Sequence, residues 1–426
     1  GLCSSQRESG AVEPLDEDER RDWLERVEQL CERGLRTIAA AEKIADSPDV
    51  DPYAGLVLQG IFGIEDPPRE GIDDVIERCR EAGVEIIMVT GDHAVTARNV
   101  AAEIGVIGET AHSREILGGD VVDGLFAEDR HDELLAARVF SRVTPEHKLK
   151  LIDLYQRQGH VVAMTGDGIN DAPALKKADI GVAMGIRGTA VAREAAEMVL
   201  QDDELGTIVL AIGYGRAIFE NIRKFVVYLL SCNISEILVV TLATVAGAPL
   251  PLLPLQILFL NLVTDVFPAL ALGVGPARPG LMSEKPRPAS ERILPRRQWA
   301  QIGLYGVVIA IATLAAMAYV VVALGFSADR AVTVAFCTIA LAQLWHVFNM
   351  RGDIRRVFIN EITRNRWVWA ALALCLVLVL MAVYVPVLND VLRLADPGPA
   401  GWSVVAVASI VPLLAAPAVR FFARRL

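Results

Sequence analysis

The chain has 426 residues, is 53% hydrophobic and carries a formal charge of −11. Length suggests two or three domains, an apolar fraction just above the ordinary globular range excludes a disordered chain, and the acidic balance excludes a general nucleic-acid binder. Six widely spaced cysteines (Cys3, Cys31, Cys79, Cys232, Cys337, Cys375) include no Cys-x-x-Cys pair, which fits neither a disulfide framework nor a zinc site. Gly rather than Met stands first and no signal-peptide pattern follows, so the amino terminus is expected not to be a natural start.

The averages hide two unlike halves. Residues 1–220 carry 23 basic and 43 acidic side chains, a charge of −20, whereas residues 221–426 carry 18 and 9, a charge of +9. The first half reads as a soluble acidic region and the second as a membrane region.

Residues 1–50 open the chain with a heavily acidic stretch over 13–32, expected to be a helix with a solvated face. Short apolar and β-branched runs follow at 56–62, 84–90, 139–143, 160–165 and 179–184, separated by helical stretches at 71–82, 93–104, 145–158 and 170–177. This alternation predicts a parallel sheet covered by helices on both faces, with ligands bound at the carboxyl ends of the strands. Two of those ends carry the same tripeptide, Thr90-Gly91-Asp92 and Thr165-Gly166-Asp167. A hydroxyl and a glycine N–H where a helix begins suit a phosphoryl oxygen. Taken alone, Asp92 reads as a helix N-cap and Lys148 as a surface lysine. The run 165–176 is far more specific. Asp167 and Asp171 with Asn170 between them make a hard, oxygen-rich site fitted to Mg²⁺. Lys148, opening a helix after the 139–143 strand, is in a position to neutralise a transferring phosphoryl group.

Six long apolar runs then fill the second half, at 225–248, 252–275, 299–325, 331–350, 367–388 and 401–419. Each is near the ~20 residues that a helix needs to cross a bilayer. Sixteen of the eighteen basic residues fall in loops on one side, so the carboxyl terminus and residues 1–220 are expected to be cytoplasmic, in the cell membrane. Glu236 and Asp265 are the acidic residues within the runs. A charge at mid-bilayer costs roughly 2.5–3.5 kcal/mol and marks an ion pathway. Asn233 and Glu236 share a face of the first span, and Asn261, Thr264 and Asp265 share one of the second. Pro268 is expected to disturb the helix near Thr264 and free carbonyls as further ligands.

Asp66-Pro67-Pro68-Arg69, Thr90-Gly91-Asp92, Lys148 and the run 165–176, followed directly by membrane spans, resemble the carboxyl-terminal part of a P-type cation-transporting ATPase, in the haloacid-dehalogenase-like superfamily. The resemblance covers the chain from about residue 50 onward. It implies an α/β haloacid-dehalogenase-like, Rossmann-type phosphorylation domain over 51–220, followed by an all-α bundle of six transmembrane helices over 221–426. Residues 1–50 would be the tail of a nucleotide-binding domain, and Asp66–Arg69 the hinge between the two soluble domains. Asp167 would bind Mg²⁺; Thr90, Gly91 and Asp92 would hold the phosphoryl group derived from ATP; Lys148 would contact it, with Asn170 and Asp171 completing the crevice.

The segments around Asn233–Glu236 and Asn261–Asp265 are similar to type II pumps, calcium pumps above all. All-oxygen ligation with two carboxylates suits Ca²⁺, while sodium and potassium pumps share the pattern. The fourth span offers Gln343, His346 and Asn349 but no carboxylate at the place where two-site calcium pumps have one, which implies one ion per cycle. The family's Asp-Lys-Thr-Gly nucleophile motif occurs nowhere in the sequence, and without an acceptor aspartate the crevice has nothing to phosphorylate. The chain is thus expected to depend on missing amino-terminal pump domains and to be inactive alone. A non-catalytic remnant or regulatory subunit that pairs with other pump halves is the alternative. A stand-alone phosphatase of the superfamily is a weaker third reading.

Overall fold

A computed structural model describes the chain except residues 1–2, 9–10, 33–34, 46–50, 52, 65–66, 109–112, 289, 353–357 and 426. Asp66, the first residue of the hinge-like motif, lies outside the described residues. The chain divides into two units, Gly1–Leu210 with Met282–Ala289, and Ala211–Leu281 with Ser290–Leu426.

In the first unit β1 (Cys3–Glu8), β2 (Ala11–Pro14), α1 (Glu17–Glu32), β3 (Arg36–Glu42) and β4 (Leu56–Ile64) come first. The strands form one sheet of order β2-β1-β4-β3. β4, expected in the parallel sheet, instead runs parallel to β1 and antiparallel to β3. Periodicity identifies a strand but not its partner, and the alanine-rich β3 carries little strand signal.

Next come α2 (Ile72–Glu81), β5 (Met88–Val89), α3 (Ala94–Glu103), β6 (Ile116–Gly118), α4 (Gly119–Ala127), α5 (His131–Ala136), β7 (Val139–Ser141) and α6 (Pro145–Arg157). The unit closes with β8 (Ala163–Gly166), α7 (Ala172–Lys177), β9 (Ile180–Met184), α8 (Ala190–Ala195) and β10 (Met198–Leu200). These strands form two all-parallel sheets, β5-β7-β6 and β10-β9-β8. Ala97 and Ala101 of α3 pack with Val139, and Leu151 and Leu154 of α6 pack with Phe140. Neighbouring residues of β7 point to opposite faces, so α3 and α6 cover the two sides of its sheet. Ile152 of α6 also packs with Val162 and Met164 beside β8. α6 therefore touches both sheets, and it carries Lys148.

α9 (Gly206–Val245) is 40 residues long. It starts well before the expected first span and runs unbroken through residue 220. In the second unit it is followed by α10 (Pro254–Phe259), a π-helical turn (Leu260–Thr264), α11 (Val266–Gly273), α12 (Arg296–Val322), α13 (Ala328–His346), α14 (Arg366–Tyr384), α15 (Pro386–Leu392), α16 (Gly398–Leu414) and α17 (Ala416–Ala423). Six helical segments among the described residues are long and apolar enough to cross a membrane. Apolar side chains turned outward cost nothing in lipid, so this surface needs no polar cover. α13 is the most enclosed, and its buried Ala331, Thr333, Ala335, Thr338, Ala340 and Ala342 allow close helix approach. A Cβ on Gly306 of α12 would stand 2.6 Å from the Ile234 side chain of α9, so that crossing requires glycine.

Candidate functional site

In the first unit, the backbone of Thr90 is fixed to β7. Its N–H donates to the Phe140 carbonyl at 2.9 Å and its carbonyl accepts from Val143 N–H at 3.2 Å. The Thr90 hydroxyl donates to Asp92 Oδ2 at 2.9 Å and accepts from Asp92 N–H at 3.1 Å. Asp92 thus closes a local turn, and the N-cap of α3 falls on His93. Lys148 enters from the first turns of α6, whose N-cap Thr144 accepts from His147 N–H at 3.3 Å, with Pro145 following. This start is what the sequence dictates, because Pro is favoured at the first helical position after a Thr cap. Lys148 Nζ lies 2.6 Å from Asp171 Oδ1, with both side chains largely buried. Asp171 Oδ2 accepts from Gly168 N–H at 3.2 Å. A Cβ on Gly166 would sit 2.6 Å from Asp171 Cβ, so this glycine makes room for the carboxylate.

Asp167 and Asn170 present exposed side chains at the end of β8. The Asp167 carbonyl accepts from Thr189 N–H at 2.8 Å, which ties the loop to the start of α8. The next loop is pinned by Asp203, to which Ile186 and Arg187 donate backbone N–H groups at 3.0 and 2.9 Å. The bond from Ile186, above all, holds this carboxyl below the usual carboxylate range. The Lys148–Asp171 and Thr90–Asp92 pairs are each internally bonded. Among the described residues no hydrogen bond links one pair to the other.

The second constellation lies in the helical unit. Glu236 of α9 is 4% exposed and Asp265, after the π-helical turn, 1%. Glu236 Oε2 accepts from Asn261 Nδ2 at 2.8 Å and Oε1 from Gln343 Nε2 at 3.0 Å. Three separate helical segments therefore meet at one carboxylate. Both Asp265 oxygens and Gln343 Oε1 are buried without a hydrogen-bond partner among the described residues. Asp265 lies within the field of Glu236, and no salt bridge joins either carboxylate to a cation among the described residues. Thr264 Oγ donates to the Leu260 carbonyl at 2.7 Å, and Asn233 donates to the Leu229 carbonyl at 2.8 Å. Asn233 thus shares a helix with Glu236 while its amide is spent on its own backbone.

The disturbance expected from Pro268 takes the form of the π-helical turn, in which Asp265 N–H donates to the Leu260 carbonyl at 3.1 Å. Such turns concentrate at functional sites. Of the three polar candidates of the fourth span, Gln343 is the one that bonds to Glu236. Its separation of three residues from His346 places both on one face, so spacing did not single it out. Asn349 bonds to the Pro412 carbonyl and the His346 ring rather than to Glu236.

A family described as haloacid dehalogenase-like hydrolase matches residues 8–179, and one described as cation transporting ATPase, C-terminus, matches residues 249–422. The chain is 41% identical to a calcium-transporting ATPase of Bacillus subtilis (strain 168), over 93% of its own length and 45% of that protein. It is 36% identical to calcium-transporting ATPase 1 of Bacillus cereus, over 97% and 48%. A P-type sodium-transporting ATPase4 of Toxoplasma gondii shares 48% identity over 59% of this chain and 19% of that protein. The chain spans less than half the length of these relatives. With a haloacid-dehalogenase-like region leading into helices that match the transporter carboxyl terminus, the chain belongs to the P-type cation-transporting ATPases and corresponds to their carboxyl-terminal part.

Proposed function

We propose that the chain supplies the phosphate-handling crevice and the transported-cation site of an ATP-driven cation pump, with Ca²⁺ as its ion. The observation that carries this reading is Glu236, enclosed by the amides of Asn261 and Gln343 beside an unpartnered Asp265. Two buried carboxylates with no bonded cationic side chain among the described residues would form a site that is electrostatically incomplete until a cation arrives. Carboxylate, amide and hydroxyl oxygens suit a hard ion such as Ca²⁺, and the two Bacillus relatives carry calcium in their names. We propose that one ion is carried per cycle, since Gln343 offers a neutral ligand where a second site would need further charge.

The soluble residues fit Mg²⁺. Asp167 is exposed at a strand end, and Mg²⁺ bound through one carboxylate keeps sites for water and a phosphate oxygen. When bound there, the ion would neutralise charge on the phosphoryl group. Lys148 holds Asp171 in place and presents its ammonium to the same loop, while Thr90 and Gly91 offer a hydroxyl and an N–H to phosphoryl oxygens. We assign the phosphorylated aspartate to a further part of a full-length pump. In support, β8 and β5 each end the strand order of their sheet, and open edges of this kind are normally paired or covered.

The test is ATP-driven Ca²⁺ uptake by vesicles containing the corresponding full-length pump, together with equilibrium Ca²⁺ binding. Uptake that requires Glu236, with one Ca²⁺ bound per pump, is the expected result. Uptake that survives Glu236→Gln, or two cooperative sites, overturns the assignment.

A further inference from the structure

At one end of the helical unit, four arginines from three segments converge: Arg297 at the start of α12, Arg351 just past α13, and Arg420 and Arg424 at the end of α17. Arg297 lies in the field of both Arg420 and Arg424, and Arg351 in that of Arg420. Arg420 is tied to backbone, donating to the carbonyls of Asn349, Arg351 and Gly352. Arg351 is 6% exposed, donates from Nη1 to the Phe348 carbonyl at 2.8 Å, and leaves its Nε buried without a partner among the described residues.

Among the described residues none of the four forms a salt bridge. The carboxylate nearest in effect is Glu361, which acts on Arg351. It is already engaged by Lys224 at 3.3 Å and by Gly352 N–H at 2.6 Å. Like charges held together with a buried, unspent donor are unfavourable until an anion joins them.

The surroundings identify that anion. Trp299, Phe421 and Phe422 are 53%, 50% and 56% exposed beside these arginines in the chain, as suits aromatic side chains at a membrane–water boundary. The cluster sits at the ends of membrane-spanning helices, where headgroups are the most abundant anions. Guanidinium forks match phosphate oxygens in pairs, and basic pockets between spans take up anionic headgroups. We infer that Arg297, Arg351, Arg420 and Arg424 form a binding site for the phosphate headgroup of one anionic phospholipid.

The experiment uses the full chain in detergent, titrated with phosphatidylglycerol or phosphatidylcholine, with retained lipid counted by native mass spectrometry. One phosphatidylglycerol is expected to be retained in clear preference to phosphatidylcholine. Arg297→Gln with Arg424→Gln should weaken that retention by about fivefold per arginine. Lysine at both positions should restore most of the preference. Equal retention of the two lipids by the unaltered chain overturns the proposal without recourse to any variant. So does a preference unchanged in the double Gln variant. Displacement of the lipid by millimolar inorganic phosphate would mean that the site reads a free anion, and it overturns the lipid assignment.

Discussion

Asp171 and Asp265 are aspartates of the two candidate sites, and their surroundings are opposite. Asp171 has Lys148 at 2.6 Å and the Gly168 N–H at 3.2 Å, beside an exposed Asp167. Asp265 is buried, neither of its oxygens has a hydrogen-bond partner among the described residues, and it lies in the field of another carboxylate, Glu236. The first arrangement has its carboxylate already paired, and on the proposed reading it would accept a phosphate and its metal without reorganising. The second is incomplete by one cation. On the proposed reading, a carboxylate stored with its counter-charge would serve positioning and one stored without it would serve capture.

The strongest attempt to break this contrast is Asp265→Asn in a full-length pump. If capture rests on that charge, Ca²⁺-dependent phosphorylation should fall by more than about 100-fold, or more than about 2.7 kcal/mol in binding, with expression unchanged. Neither Asp265 oxygen has a hydrogen-bond partner among the described residues, so the substitution removes charge while keeping shape. Retained Ca²⁺ dependence in a phosphorylation assay would end the assignment.

Glu361 tests whether counter-charge, rather than location in the helical unit, makes the difference. It lies 3.3 Å from Lys224, and the two side chains are 7% and 13% exposed. Burial pushes the Glu361 carboxyl up, but Lys224 and the Gly352 N–H outweigh it and hold it below the ordinary range. Its folded value is depressed, so its stabilisation is present above the unfolded value of about 4.3. That stabilisation is lost as pH falls through the folded value. Glu361→Gln should cost about 2 kcal/mol at neutral pH, less than the roughly 3–5 kcal/mol of a fully buried pair. The melting temperature of the variant should also drop less between pH 5 and pH 3 than that of the parent. Parallel pH profiles would place Glu361 with Asp265 rather than with Asp171.

How much of this was legible in the sequence follows the same contrast. The strand-end residues Thr90, Asp167 and Asp171 could be read because strand–loop–helix punctuation is local and the glycines around them mark tight backbone. Glu236 and Asp265 could be read because charge inside an apolar run is conspicuous. The partner of β4 was not legible, since pairing with β1 and β3 is a long-range choice that alternation does not encode. Nor was the start of α9 at Gly206, because hydropathy marks where a helix becomes apolar, not where it begins. The role of Gln343 depended on helix packing. One polar residue among several becomes a partner for Glu236 only once α13 is set against α9.

Gln343→Leu therefore sharpens the capture side. It keeps volume and removes the 3.0 Å bond to Glu236 Oε1, leaving that oxygen without its donor. Ca²⁺ affinity of the full-length pump should weaken by about tenfold, or about 1.4 kcal/mol. Unchanged affinity in a Ca²⁺ titration of phosphorylation would reduce Gln343 to packing.

The smallest expected effect lies on the positioning side. Thr144 accepts from His147 N–H at 3.3 Å, and His147 Nδ1 accepts from Thr144 N–H at 3.2 Å. This reciprocal cap fixes the first turn of α6, and Lys148 follows His147 directly. Thr144→Ala should cost about 1 kcal/mol of stability. Frayed at its first turn, α6 would hold Lys148 less firmly against Asp171, so Mg²⁺-dependent binding of a phosphate analogue should weaken by a few-fold. Lys148→Ala should weaken the same binding by more, and combining the two should add little, because both act through one ammonium. Full additivity in that double-mutant cycle would separate the cap from the lysine and leave α6 with a purely structural start.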